Sequence, residues 1–276
     1  MNIQRIAAFS DGDQGGNPAG VVISTSLPDV TTMQRVAADV GFSETAFAAP
    51  FNTGFRVRYF SPESEVPFCG HATIALGAAL ALKHGDGTFT LTLNNAAITV
   101  EGTREGDIIS AALQSPPTRS ESVAGDVITA ALALFGYRAD DLDPRIPIAR
   151  AHGGADHLII ALRSRERLSA MRYDLDAGRA FMNRERFVTI LLAYAESSQL
   201  FHTRNPFASG GVYEDPATGA ATAAFAGYLR DLKWPHAGCI DIVQGEDMGM
   251  RSLLHADIPP APGSSIRVSG TARLMD

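Results

Sequence analysis

The chain has 276 residues, of which 45% are apolar and 19% charged, and its formal net charge is −7. This length suits one large domain or two of about 130 to 140 residues, and the composition is that of a globular protein with ample material for a core. The negative charge and the lack of any run rich in Lys or Arg exclude an ordinary nucleic-acid-binding surface.

The cysteine content and the lengths of the apolar runs predict a cytoplasmic protein with no membrane partner. Cys69 and Cys239 are the only cysteines, too few for a disulfide scaffold. The first residues, MNIQR, lack the basic-then-apolar pattern of a secretory signal. The longest apolar runs, 72–82 and 187–195, are shorter than the span of about 20 residues that crosses a bilayer.

The first half of the chain is predicted to be a sheet with two helices. The first helix follows Asp29 or Thr31, either of which could cap it, and ends near Gly41. The second, from His71 to Lys83, has no polar face and must therefore be buried on every side. The predicted strands are 3–9, 19–24, 42–48, 55–60, 88–93, 97–100 and 108–113.

The second half repeats this plan after a candidate linker at 114–120 (QSPPTRS). Helices are predicted at 123–135, 164–171, 175–183 and 220–232, the last of them nearly all apolar, and strands at 146–151, 157–162, 187–194, 199–203, 239–244 and 265–268. We therefore predict an α+β fold with two pseudo-symmetric domains, each a barrel-like sheet around one central buried helix. The domains are predicted at 1–117 and 118–276, and the last strand could return to the first domain.

One motif occurs in each half of the chain. The segments 65–75 (EVPFCGHATIA) and 214–224 (EDPATGAATAA) share the frame Glu-x-Pro-x-x-Gly and run into apolar helices. A helix that starts at Gly70 or Gly219 leaves backbone N–H groups and the positive end of its dipole available to an anion. A tight turn that needs Gly for its backbone angles is the alternative for either copy alone. The duplication favours a small-molecule site where the two halves meet.

The two motifs contain three residues able to do chemistry. His71 lies at a predicted helix start, which favours a neutral imidazole that can donate and accept a proton; a structural hydrogen bond is the alternative. Cys69 could be a thiolate at the same helix start or a small buried apolar side chain. Asp215, just before Pro216, could be an active-site carboxylate or the N-cap of the following helix.

Glu44 is the carboxylate that we expect to act as acid and base. It lies in the otherwise apolar segment 42–48 (FSETAFA), where burial would disfavour its charged form and suit it to proton transfer. A position on an exposed strand face is the alternative reading.

The sequence lacks the common motifs of cofactor and metal chemistry. The chain has no Walker-type phosphate loop, no Gly-x-Gly-x-x-Gly after a strand, no Gly-x-Ser-x-Gly and no His-Glu-x-x-His. Its seven histidines lack the spacing of metal ligands, so no metal is expected. Proton transfer by side chains, without a cofactor, is the chemistry that this leaves.

The sequence resembles the PhzF-like proteins of phenazine biosynthesis, which are relatives in fold of diaminopimelate epimerase. The resemblance spans nearly the whole chain, in the right order, and the matching segments are 16–22 (GNPAGVV), 42–47 (FSETAF), 58–62 (RYFSP), 65–73 (EVPFCGHAT), 214–219 (EDPATG) and 243–249 (VQGEDMG). It implies two domains with a cleft between them, a homodimer, and catalysis without cofactor or metal. It also implies that Glu44 is the proton-shuttling glutamate, and that His71 and Asp215 are active-site residues.

Two departures from the family limit what the resemblance implies. Ala220 replaces the serine of the phenazine enzyme, which removes one substrate hydrogen bond. The epimerase relatives use two cysteines as an acid/base pair, but here Cys69 is matched by Thr218, which argues against a two-thiol racemase.

We therefore predict an isomerase that acts without a cofactor on a small anionic, carboxylate-bearing metabolite. Glu44 would move the proton, with His71 and Asp215 orienting the substrate. The predicted substrate-binding residues are Gly70, Cys69, Thr218, Gly219 and Ala220. The alternatives are a binding protein that has lost turnover and a related lyase or dehydratase.

Overall fold

A computed structural model describes residues 1–276, which form eighteen strands and six α-helices. The strands are β1 (Gln4–Ala8), β2 (Asn17–Ile23), β3 (Thr45–Phe51), β4 (Gly54–Phe60), β5 (Glu65–Val66), β6 (Gly87–Thr92), β7 (Ala97–Glu105), β8 (Ile108–Gln114), β9 (Arg119–Ser122), β10 (Ala149–His152), β11 (Asp156–Leu162), β12 (Thr189–Ala195), β13 (Leu200–Arg204), β14 (Pro206–Phe207), β15 (Val212–Glu214), β16 (Cys239–Gln244), β17 (Ser252–Asp257) and β18 (Arg267–Met275). The helices are α1 (Val30–Val40), α2 (Gly70–His84), α3 (Gly125–Phe135), α4 (Arg165–Ser169), α5 (Leu175–Glu185) and α6 (Gly219–Asp231). None of these helices is long and apolar enough to cross a membrane.

The first unit of the chain comprises Met1–Gln114 together with Ser269–Asp276. Its strands follow the order β1-β2-β3-β4-β6-β7-β8-β18, and β18 also pairs with β1. The pairing therefore closes an eight-stranded barrel, which leaves no free sheet edge. Helix α1 crosses between the parallel strands β2 and β3, and α2 crosses between the parallel strands β4 and β6.

Helix α2 is the core of this barrel. It contacts strands all around the barrel, including β1, β2, β7 and β8, and its residues from His71 to Ala81 are all buried. Small residues allow this close packing: a Cβ on Gly102 of β7 would lie 2.3 Å from the backbone oxygen of Gly77 in α2. The absence of a polar face in the sequence is thus explained by a helix enclosed by strands.

The second unit, Ser115–Val268, has the same plan. Its sheet follows the order β9-β10-β11-β12-β13-β16-β17, and α6 crosses between the parallel strands β13 and β16. Because α6 contacts both β9 and β17, the strands at the two ends of this order, the sheet curls around it. A Cβ on Gly153 would lie 2.6 Å from the backbone nitrogen of Ala224 in α6, so glycine again permits the close approach. The predicted α+β class and the barrel-and-helix plan of each half are confirmed.

Several predicted elements need correction. The strand predicted at 42–48 begins at Thr45, because the chain bends after the left-handed C-cap of α1 at Gly41, and Glu44 therefore lies in the loop before β3. Part of the predicted linker 114–120 belongs to β9, and β17 was missed although its buried and partly exposed residues alternate. The last strand runs on to Met275, because its second half pairs with β1.

The two predicted domains, 1–117 and 118–276, remain a prediction. The structure shows two compact units that divide between Gln114 and Ser115, with the C-terminal residues from Ser269 belonging to the first.

Candidate active site

In the first unit, Glu44 lies between α1 and β3. Its backbone oxygen accepts a hydrogen bond from the N–H of Gly20 at 3.1 Å, which ties this loop to β2. Gly20 has to be glycine, because a Cβ there would lie 2.6 Å from Oγ1 of Thr45. The Glu44 side chain is only 14% exposed, which rules out the alternative of an open strand face.

Beside Glu44 lies the imidazole of His71, the second residue of α2. Oε2 of Glu44 is 3.5 Å from Nε2 of His71, and Oγ of Ser43 is 3.4 Å from the same nitrogen. The other ring nitrogen, Nδ1, lies 3.4 Å from Sγ of Cys69. His71 and Cys69 are both buried. The structure therefore brings three of the predicted site residues together: Glu44, Cys69 and His71.

The same three side chains form a set of potential metal ligands. One donor atom from each of Glu44, Cys69 and His71 lies within 4.8 Å of the other two. A thiolate, an imidazole and a carboxylate are ligands that Zn²⁺ accepts in proteins. Sequence spacing could not reveal this set, because Glu44 is brought in from outside the first motif.

The N-termini of α2 and α6 have a common local structure. Neither N-cap residue, Cys69 or Thr218, makes a side-chain capping hydrogen bond to its helix. The starts of both helices therefore lack the usual side-chain acceptor and suit an anionic group. The Asp215 alternative, an N-cap of α6, is wrong because Thr218 occupies that position.

The glutamate that opens the first motif is held by an arginine on the preceding strand. Nε and Nη2 of Arg58 donate to the two carboxylate oxygens of Glu65 at 2.7 and 2.5 Å, and Nδ2 of Asn94 donates to Oε1 at 2.6 Å. The hydrogen bonds from Arg58 are the main reason that the pKa of Glu65 is lowered, against a smaller opposing effect of burial.

The second motif contains the equivalent pair. Nε and Nη2 of Arg204 donate to the two oxygens of Glu214 at 2.9 and 2.5 Å, and Nη1 donates to the backbone oxygen of Ser169 at 2.8 Å. This pair is more deeply buried than the first, with 9% and 4% of the two side chains exposed. The Glu of the repeated frame is therefore an anchor for the turn in both halves, and we refer to each Arg–Glu pair as a motif clamp.

Asp215 follows this clamp directly. Its N–H donates to the backbone oxygen of Asn205 at 3.0 Å, and its Oδ2 accepts a hydrogen bond from Oγ1 of Thr218 at 2.5 Å. Gln244, at the end of β16, bonds to the same turn: its Nε2 donates to the backbone oxygen of Asp215 at 2.7 Å. Within the second unit, the structure thus brings Asp215, Thr218 and Gln244 together.

The two motifs differ in the side chains at their helix starts. Gly70 and Gly219 are the first residues of α2 and α6, but His71 of the first motif is matched by Ala220 of the second. Ala220 is partly exposed and offers no side-chain hydrogen bond.

Sequence reasoning missed Gln244 and the two clamp arginines. The segment 243–249 attracted attention as a family-like pattern, but no role was derived for any residue in it. Arg58 could have been found from a charge pair at short spacing, since only 7 positions separate it from Glu65. The bond from Gln244 to Asp215 joins residues 29 positions apart and leaves no periodic signal.

Comparison with known proteins gives one consistent result. The model of a family described as phenazine biosynthesis-like proteins (PhzC-PhzF) matches residues 6–275. The chain is 31% identical to the trans-2,3-dihydro-3-hydroxyanthranilate isomerase of Pseudomonas aeruginosa, over 96% of this chain and 91% of the relative. It is 28% identical to the uncharacterized isomerase YddE of Escherichia coli, over 99% of this chain and 96% of the relative.

Solved structures show the same fold at lower sequence identity. A PhzF-family phenazine biosynthesis protein from Bacillus anthracis superposes with a TM-score of 0.86 at 21% identity, covering 100% of this chain and 98% of that one. A probable proline racemase from Agrobacterium radiobacter gives a TM-score of 0.66 at 10% identity, covering 99% of this chain and 90% of that one.

Proposed function

The chain is an isomerase that belongs to the family of phenazine biosynthesis-like proteins, and we propose that it moves a proton within a small carboxylate-bearing metabolite, with Glu44 as general acid and base. The observation that carries this proposal is the contact between the largely buried carboxylate of Glu44 and the imidazole of His71, 3.5 Å apart.

The proposed reaction needs one proton carrier and no redox change. The carboxylate of Glu44 takes a proton from a carbon of the substrate. The electron pair of the broken C–H bond shifts along conjugated double bonds of the substrate, and the same carboxyl group returns the proton to a different carbon. His71 holds the Glu44 carboxylate through Nε2, while its Nδ1 is held by Cys69. A carboxyl group removed from bulk water is suited to both steps.

A single carrier fits the differences between the two halves. Cys69 of the first motif is matched by Thr218 of the second, whose hydroxyl donates to Asp215. His71 is matched by Ala220, which cannot carry a proton. With no matched pair of acid and base, we propose a proton shift by Glu44 rather than a two-base racemisation.

We propose that the helix starts bind the anionic part of the substrate. Gly70 and Gly219 begin helices whose first N–H groups have no side-chain cap, so each start can donate hydrogen bonds to a carboxylate. Asp215 is proposed to orient the substrate. Ala220, in place of the serine of the phenazine enzyme, offers no polar side chain at the start of α6. This favours a substrate with an apolar group facing that residue.

The decisive experiment measures the incorporation of solvent deuterium into candidate substrates by NMR. The first compound to test is trans-2,3-dihydro-3-hydroxyanthranilate, after which the Pseudomonas isomerases are named. Glu44→Gln is expected to slow exchange by about 100-fold or more, the usual contribution of a positioned acid or base. The matched control is Glu63→Gln, an exposed glutamate of the same unit, which should exchange like the wild type.

The outcomes separate the mechanism from the substrate. Undiminished exchange in Glu44→Gln would refute the role of Glu44. A wild-type protein that is inactive on this compound but active on another small carboxylate would keep the mechanism and replace the substrate.

A further inference from the structure

Gln244 is a fully buried polar side chain whose amide group is bonded only to the second motif. It ends β16 and has 0% of its surface exposed. Nε2 donates to the backbone oxygen of Asp215 at 2.7 Å and to Oγ1 of Thr218 at 3.1 Å, while Oε1 accepts from the N–H of Thr218 at 3.2 Å. A buried amide whose donors and acceptor all have partners is a costly group to replace.

These three contacts fix the orientation of the amide. The two groups that face Nε2 are acceptors, and the group that faces Oε1 is a donor. Turning the amide over would place Oε1 against the carbonyl oxygen of Asp215, so only one orientation satisfies every partner. Gln244 is thus a fixed point against which the turn from Asp215 to Thr218 is set.

The orientation of the amide also determines the direction of a proton. Because Nε2 of Gln244 donates to Oγ1 of Thr218, that oxygen is an acceptor on this side and its own proton is free to point elsewhere. Oδ2 of Asp215 lies 2.5 Å from Oγ1 and receives that proton. The chain of hydrogen bonds therefore runs from Gln244 through Thr218 to the carboxylate of Asp215.

The backbone beside Gln244 is held in place as well. Gly245 has φ +73°, and a Cβ at this position would lie 2.4 Å from the backbone oxygen of Met250 and 2.8 Å from that of Pro216. Only glycine fits such a left-handed, crowded position. The turn after β16 therefore packs directly against the second motif, where the Gln244 side chain lies beside Asp215.

From these contacts we infer that Gln244 is the positioning residue of the active-site aspartate: it sets the Thr218 hydroxyl so that this hydroxyl donates to Asp215. The inference rests on the proposed function only in naming Asp215 an active-site residue. It assigns a role to the 243–249 segment, which the chemistry of Glu44 and His71 leaves unused.

The first test needs no substrate. The carboxyl ¹³C signal of Asp215 is compared by NMR in the wild type, Gln244→Met, Thr218→Val and the double variant. Both single variants should move the signal, and the double variant should move it no further than the larger single change, because both act through one O–H group. Gln199→Met is the control: Gln199 contacts Cys239 at the other end of β16, and the signal should stay in place.

The second test separates positioning from a purely structural role. With a substrate that the wild type turns over, Gln244→Met should lower kcat by about tenfold, the loss expected for one hydrogen bond to a charged group, and leave KM unchanged. Thr218→Ser keeps the hydroxyl and should retain most of the activity that Thr218→Val loses.

An Asp215 carboxyl signal that stays in place in a folded Gln244→Met protein would overturn the inference. So would additive shifts in the double variant. If the signals behave as expected but Asp215→Asn isomerises its substrate at the wild-type rate, the contact stands and the proposed function loses Asp215.

Discussion

The two motif clamps are the same kind of ion pair at two different degrees of burial. Glu214→Gln and Glu65→Gln make the same chemical change in the second and the first unit. In the pair of Arg204 and Glu214, 9% and 4% of the side chains are exposed, against 21% and 25% for Arg58 and Glu65. The difference in burial should determine the difference in cost.

The expected magnitudes follow from what each arginine keeps. After Glu214→Gln, a buried guanidinium retains the oxygen of Ser169 and a distant carboxylate, Oδ2 of Asp247 at 4.0 Å. Removing one partner of a buried pair costs about 3 to 5 kcal/mol, and these remaining partners favour a value of about 3. The better-hydrated pair of Arg58 and Glu65 should cost about 1 kcal/mol.

The assay is urea unfolding, with a separate probe for each unit. Trp234 is the only tryptophan and lies in the second unit, so its fluorescence follows the unit that contains Glu214. Circular dichroism follows both units. With a slope of about 3 kcal/mol/M, Glu214→Gln should lower the fluorescence midpoint by about 1 M. Glu65→Gln should lower the circular-dichroism midpoint by about a third of that.

Equal shifts in the two variants would refute the argument from burial. A larger shift for Glu65→Gln would refute the argument more strongly, since the more exposed pair of Arg58 and Glu65 would then be the stronger one. A changed slope in either variant would show that the compactness of the unfolded or the native state had changed, or that unfolding was no longer two-state, and would contradict a loss confined to the clamp.

Two further predictions concern titration and metal ions. Burial lowers the pKa of the His157 imidazole to about 3, below its unfolded value of about 6.5. The contribution of this neutral imidazole to the free energy of unfolding is therefore complete above pH 6.5. It is lost as the pH falls, because the unfolded chain then binds a proton that the folded protein excludes. Between pH 7.5 and 5.0 this should cost about 2 kcal/mol, which urea midpoints of the wild type would show and those of His157→Gln would not; equal pH dependence would contradict it. Added Zn²⁺ should inhibit by binding Glu44, Cys69 and His71, and a chelator should restore activity. Calorimetry should show at least about tenfold weaker Zn²⁺ binding to Cys69→Ser, and unchanged binding would refute the set of ligands.

Local sequence signals were enough to predict the two central helices. The predicted helix from His71 to Lys83 and the observed α2 differ by one residue at each end, because a run without a polar face and a glycine start are both visible in the sequence. The same holds for α6. In contrast, β17 was missed because short alternating segments resemble exposed loops until the partner strand is known.

The candidate site was predictable only in part. Motif duplication and the family resemblance indicated Glu44, His71 and Asp215, and their catalytic roles remain predictions, as do the homodimer and the cytoplasmic location. The contact between Glu44 and His71 depends on a loop that is tied to β2 through Gly20. Gln244 reaches Asp215 only because the fold places β16 beside the second motif. Long-range contacts of this kind are set by topology, which periodicity does not encode.

The closure of the first barrel by β18 has a consequence for how the protein is made. The strand that pairs with β1, completing the N-terminal unit, follows the whole of the second unit in the sequence. Domains usually fold as units in the order of their synthesis, but here the earlier unit cannot close until the later one has been translated. Nascent chains should therefore expose the unpaired edges of β1 and β8 while the second unit is translated, and we expect chaperones to protect those edges at this stage.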